Sequence, residues 1–118
     1  MPYNAVIKTE NITEDQVVDL THPPVIVGCT FAAGSDVFEA GTIVAKDANG
    51  AYVAYDASAS DTTRTPVGVL DEKIDTARQT VARVLLHGIA IREKVVTAAG
   101  AATQNDIDAL ATAGVYAL

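Results

Sequence analysis

Cys29 is the single residue in the chain with a thiol nucleophile's chemistry, and His22 and His87 are its two imidazoles. A thiol and an imidazole brought together by folding would make a nucleophile and its base. Cys29, however, lies within Val25-Ile26-Val27-Gly28-Cys29-Thr30-Phe31, an apolar stretch in which a free cysteine serves as a small buried hydrophobe. The sequence therefore reads it as core. One cysteine closes no intramolecular disulfide, so the fold must rest on burial and hydrogen bonds, as expected of a protein made in a reducing cytosol. Neither histidine has a Cys pair, an HExxH frame or a carboxylate one turn away, so no metal site is expected.

The carboxylates give no acid–base pair. Asp71, Glu72 and Asp75 cluster around Lys73, while Asp56 and Asp61 stand at the ends of a polar loop. A hard cation such as calcium wants several oxygen ligands, but this spacing matches no calcium loop and reads as solvated turns. Gly28, Gly34, Gly41, Gly50 and Gly68 are spread along the chain rather than gathered into a phosphate-cradling loop. Lys73 remains, because small β carrier domains present a modifiable lysine at a hairpin tip. Its surroundings, Leu70-Asp71-Glu72-Lys73-Ile74-Asp75, lack the symmetrical Gly-bounded hairpin of such a site. No catalytic, cofactor-binding or metal-ligating residue is assigned, no cofactor is expected, and nothing demands an enzyme.

A chain of 118 residues is one small domain. With 8 Lys and Arg against 15 Asp and Glu, its net charge of -7 offers phosphate backbones no counterion release and anionic membranes no attraction. Direct contact with nucleic acid or membrane is not expected. The start, Met1 to Glu10, lacks the basic and apolar regions of a secretory signal, and no run approaches the ~20 apolar residues of a membrane span. Hydrophobic residues make up 49% of the chain but aromatics only 5%, and much of the apolar count is Ala. Such a core leaves stability modest, so self-association or docking on a partner would offset it.

Residues 1–24 read as an extended N-terminal arm, ended by His22-Pro23-Pro24, whose prolines force extended geometry on what precedes them. Residues 25–118 read as a β-rich body. A strand at Val25–Phe31 is expected to be interrupted at Gly28. Two β-rich runs, Thr42–Lys46 and Ala51–Tyr55, flank Asp47-Ala48-Asn49-Gly50 and predict a hairpin. Residues 56–66 form an exposed loop, after which Val67–Leu70 resumes a buried strand. Thr76–Gly88 is ambiguous: Asp75 or Thr76 could cap a helix that Gly88 ends, yet the β-branched run from Thr80 favours a strand that bends at Gly88. Near the end, Thr103 or Asn105 caps a short helix with Ile107, Leu110 and Ala111 on one face, and Gly114 stops it. The expected fold is mainly β (α+β): a small barrel- or sandwich-like body with one short C-terminal helix and an extended arm.

In order, the polar arm, Gly41-Thr42-Ile43-Val44 with its hairpin, Pro66-Val67-Gly68-Val69-Leu70, Val84-Leu85-Leu86-His87-Gly88 and a capped helix leading to Gly114-Val115 form a pattern. It resembles the lambda-type head decoration proteins of tailed bacteriophages over roughly residues 38–118, and over the arm in general character. The resemblance implies a structural virion protein on the outer surface of an expanded capsid. It would sit as a homotrimer at three-fold and quasi-three-fold positions and stabilise the shell against packed DNA. Its partners would be the major capsid protein and its own copies. Tyr3, Val6, Ile7, Ile12, Val17 and Val18 are the candidate capsid-binding residues of the arm, suited to adding a strand to an exposed capsid edge. The alternatives are a small β carrier or ligand-binding module using Lys73 or Cys29, and a tail or spike accessory protein.

Overall fold

A computed structural model describes residues 17–21 and 23–118 of the chain. Among them the elements run β1 (Val18–Asp19), β2 (Val25–Thr30), β3 (Val37–Phe38), β4 (Ile43–Lys46), β5 (Tyr52–Ala54), β6 (Gly68–Leu70) and β7 (Ile74–Asp75). Then follow β8 (Val81–Ala90), β9 (Val96–Thr97), β10 (Gly100–Ala101), the helix α1 (Gln104–Thr112) and β11 (Val115–Ala117). The body is mainly β with one short C-terminal helix, as the sequence predicts.

The long strand β8 organises the molecule. Its first half lies between β2 and β6, and the sheet continues through β4 to β5; its last residues lie between β1 and β11. The ambiguity at Thr76–Gly88 thus falls to the strand. Thr76 caps no helix, because its hydroxyl accepts from the Asp36 N–H at 3.0 Å and so ties the β3 end to the β7 end. Val25 faces His87 while Ile26 faces Leu85, so β8 carries one extra residue at Leu86. This bulge reverses the edge that each later backbone group addresses. Gly88, at φ +138°, completes the bend into the second group of strands.

Neighbouring residues on three strands enter different cores. Ile43, Ala45, Val69 and Leu85 belong to one cluster; Val44, Leu70 and Val84 belong to the other. Strand side chains alternate between faces, so the sheet is buried on both. Ile107 and Leu110 of α1, with Val115 and Ala117 of β11, cover one face, while Phe31, Tyr52 and Ile74 cover the other. Phe31 also meets Tyr52 in one isolated bridge, with ring centroids 5.8 Å apart, but the sheet does not close into a barrel there. The result is sandwich-like. The helix is set as expected: the Thr103 side chain accepts from the Asp106 N–H and Asp106 answers to the Thr103 N–H, and Gly114 at φ +100° ends it.

Two expectations are corrected. Gly28 does not interrupt its strand, because β2 runs unbroken from Val25 to Thr30, and a glycine outside the positive-φ region needs no break. The prolines at 23 and 24 do not mark where the body starts. Val17 and Val18 are only 2% and 3% exposed, Val18 pairs with Ala90, and the Ile91 N–H donates to the Val17 carbonyl at 2.7 Å. Leu20–Pro24 is instead an excursion between β1 and β2, which follow one another along the same edge of β8.

Candidate functional site

The groups with chemical potential are each absorbed locally. The Cys29 thiol is buried, pairs in register with Ala82 and donates to the Val27 carbonyl at 3.4 Å. Burial, with the thiol beside it, pushes the Tyr52 hydroxyl up to about 12. His87 faces Val25, four residues along β2 from Cys29, which is roughly 13 Å at the strand rise. The two therefore do not form a nucleophile and base. Lys73 lies between β6 and β7 with its ammonium 3.7 Å from Glu39, both side chains well exposed.

The Asp71–Asp75 cluster is organised by arginines. Arg83 sits 3.4 Å from Asp71 and 3.7 Å from Glu72, and Glu72 also accepts from the Arg83 N–H at 2.8 Å. Burial holds the Asp71 carboxyl above its ordinary range, against the pull of Arg83. Asp75 pairs with Arg78 at 3.6 Å. Asp56 and Asp61 fold back on Ser58 and Thr63, accepting from both the N–H and the hydroxyl in each case. Among the described residues no group of three or more His, Cys, Asp or Glu is placed to hold a metal ion.

One buried carboxylate matters to the fold. Asp106 accepts from the Tyr55 hydroxyl at 3.0 Å and the Thr103 N–H at 2.9 Å. Burial pushes its carboxyl up, but these bonds outweigh burial and leave it below the usual range. Burial, and then Asp106 itself, raises the Tyr55 hydroxyl. A depressed carboxylate contributes stability that is complete above its unfolded value near 4 and is lost as pH falls through the folded one. Asp106→Ala is thus expected to cost about 1–3 kcal/mol at neutral pH, and the gap between parent and variant narrows below about pH 4. Urea unfolding at pH 7 and pH 3 measures both.

Two surfaces remain open. On the outer face of the last β8 residues, Ile89 lies beside Tyr116, and with Gly88, His87 and Leu118 they frame an almost wholly apolar hollow of about 310 Å³. Beside it, where Val25 faces His87, β2 leaves Val25 and Val27 50% and 43% exposed; its side away from β8 meets β5 through the Phe31–Tyr52 bridge and the Ala32 N–H, which donates to the Tyr52 carbonyl at 3.0 Å. Sequence reasoning misses both. A larger cleft of about 750 Å³ runs between Tyr55–Ser58 and the turn after β9, but its carboxylates, Asp56 and Asp106, are already engaged as above.

Of the candidate arm residues, Tyr3, Val6, Ile7 and Ile12 lie outside the described residues. Val17 and Val18 are placed in the body's own core and have no surface to offer a partner. A family model described as Bacteriophage lambda head decoration protein D matches residues 24–117, from Pro24 through the end of β11. Among curated proteins, none matches the chain.

Proposed function

The chain belongs to the bacteriophage lambda head decoration protein family, a family of structural virion proteins of the capsid, and on that premise we propose that it binds the outside of an expanded shell as a homotrimer and stabilises it against the pressure of packed DNA. The observation that carries this is the extent of the family match, which takes in nearly every strand of the body. A trimer clamped across neighbouring capsid subunits must be broken before those subunits separate, and clamping needs no catalyst. The arm ahead of Val17 adds the grip: an extended segment can join a sheet edge through main-chain hydrogen bonds. Three tethered arms raise residence by ~10²-fold or more over one. The apolar hollow at Ile89, Tyr116 and Leu118 suits a contact between bodies, since it brings no charge to the junction.

Copies carrying -7 each repel one another. Salt shortens the reach of that repulsion to about 10 Å at 0.1 M, so the trimer is expected to tighten with added salt. Sedimentation at low and high salt checks this, and a trimer that loosens with salt overturns it. Imaging of decorated particles tests the placement: density at positions other than the three-fold and quasi-three-fold sites would exclude it.

A further inference from the structure

We propose that the hollow at Ile89, Tyr116 and Leu118 is the body's seat on the shell, where it takes in an uncharged apolar side chain of the capsid subunit. The inference rests on the arm reading above. Strand β11 carries the first sign. Val115 and Ala117 are buried, so Tyr116 and Leu118 point the other way, where they are 48% and 76% exposed. A sheet face left to water carries polar residues. This one carries a tyrosine and a leucine, with Ile89 in register beside Tyr116, around a hollow of about 310 Å³. An exposed apolar face of this kind marks an interaction site. Gly114 helps to shape it: a Cβ there would stand 2.9 Å from His87 Cδ2, so the glycine lets the imidazole lie against the start of β11 and border the hollow.

The place where the chain enters the body chooses the occupant. On one side of β8 the Ile91 N–H donates to the Val17 carbonyl. On the other, the Leu118 N–H donates to the Ala90 carbonyl at 3.1 Å and the Arg92 N–H to the Leu118 carbonyl at 3.0 Å. Val17 and Leu118 therefore stand at the same level of β8, two strand spacings or about 10 Å apart. Ile12 lies at most about 18 Å from Val17 by chain length. A shell strand gripped by that part of the arm comes within reach of the hollow.

A second copy of this chain is the worse occupant. A three-fold ring joins two different patches of each copy, so the hollow would need an uncharged apolar projection on another face. The exposed Leu20 and Val37 each follow an aspartate, Val81 shares its face with Arg83, and Val25 and Val27 lie beside the hollow itself. The contact between bodies that the hollow suits is thus one between this body and the capsid subunit.

The test is photocrosslinking on decorated particles, using full-length chains with benzoylphenylalanine in place of Tyr116 or of Leu118. Occupancy of expanded capsids by Tyr116→Lys, Tyr116→Glu and Tyr116→Phe is measured alongside. Both crosslinking positions are expected to capture the major capsid protein. The Lys and Glu variants are expected to melt within a few degrees of the parent, since position 116 is already exposed, and to bind at least tenfold more weakly whichever charge they carry. Tyr116→Phe binds as the parent does, and so does Val81→Lys, which sets a charge on an exposed valine elsewhere. Adducts between copies of this chain alone assign the face to a second copy and overturn the inference. Parent-like occupancy by a folded Lys or Glu variant overturns it, as does the absence of any adduct from particles that carry the crosslinking chains. If the variants at 116 fail to fold, Leu118→Glu and the crosslinker at 118 decide. Deleting residues 2–16 is a separate readout: parent-like binding by that chain sinks the arm reading, whichever partner the adducts report.

Discussion

A chain lacking residues 2–16 is expected to stay folded, melt within a few degrees of the parent and lose occupancy of expanded capsids by about 100-fold or more. The fold side of this follows from where the core begins. Among the described residues Val17 and Val18 are the first of the buried cluster, and the deletion leaves both in place. The binding side follows from the proposed trimer, in which the deletion removes three arms together and with them the avidity they would provide. Extending the deletion through residue 20 should behave differently. It strips out two fully buried valines, each worth about 1.5–3 kcal/mol, and the β1 ladder with them. A domain of this size loses about 4–8 °C of melting temperature per kcal/mol, so the longer deletion is expected to melt more than about 10 °C lower. Calorimetry on the two truncations separates grip from fold. Equal melting of both would refute the placement of Val17 and Val18, and parent-like capsid binding by the shorter one would refute the arm.

The second large effect is expected at Gly88. Its φ of +138° is open to glycine and closed to β-branched side chains. A Cβ there would stand 3.3 Å from both Leu85 Cδ1 and the Pro24 Cα, so the neighbours would also have to give. Holding a non-glycine residue in such a region costs about 1–3 kcal/mol before any crowding is counted. Gly88→Val is therefore expected to destabilise the body by about 3 kcal/mol or more, with Gly88→Ala between it and the parent. Denaturant unfolding of the three proteins measures the series, and a Val variant as stable as the parent would show that β8 does not bend as described.

Much of the body is legible in its residues alone. The Asn49-Gly50 turn fixes the β4–β5 hairpin because few residues take positive φ, and Gly50 does so at +82°. The capped helix is legible for a similar reason: Thr103 and Asp106 stand at the capping spacing and Ile107 and Leu110 at the helical one. The strand through Thr80–Ala90 shows in its β-branched run, but its double partnership does not, since a bulge at Leu86 depends on what pairs on each side. Short elements are out of reach. β1, β3, β7, β9 and β10 are two residues each, too brief for a period of two to declare itself, and their pairings rest on contacts that no local pattern announces. The same limit explains why the residues suggest an arm reaching to Pro24: two prolines are loud, and Val17-Val18 become core only once Val18 pairs with Ala90 and both join the cluster that holds Ile107. At the surface, a thiol amid valines is buried, and Cys29 is read correctly as core on that ground. The hollow beside Ile89 leaves no such trace, because whether a strand's face is covered is a property of the sheet and not of the strand.

The union of β1 with β8 gives tension a defined route. A pull on the leading segment enters at Val17, crosses to Ile91 and passes into the strand that both groups of partners share. Slack cannot build up between tether and body, because freeing the root means opening the ladder and wetting Val17 and Val18 in one event. With the shell gripped as proposed, its strain would therefore arrive at the buried cluster that Val17 and Val18 share with Ala90 and Leu110. Under rising force such a molecule is expected to come away whole, not to peel from its front end.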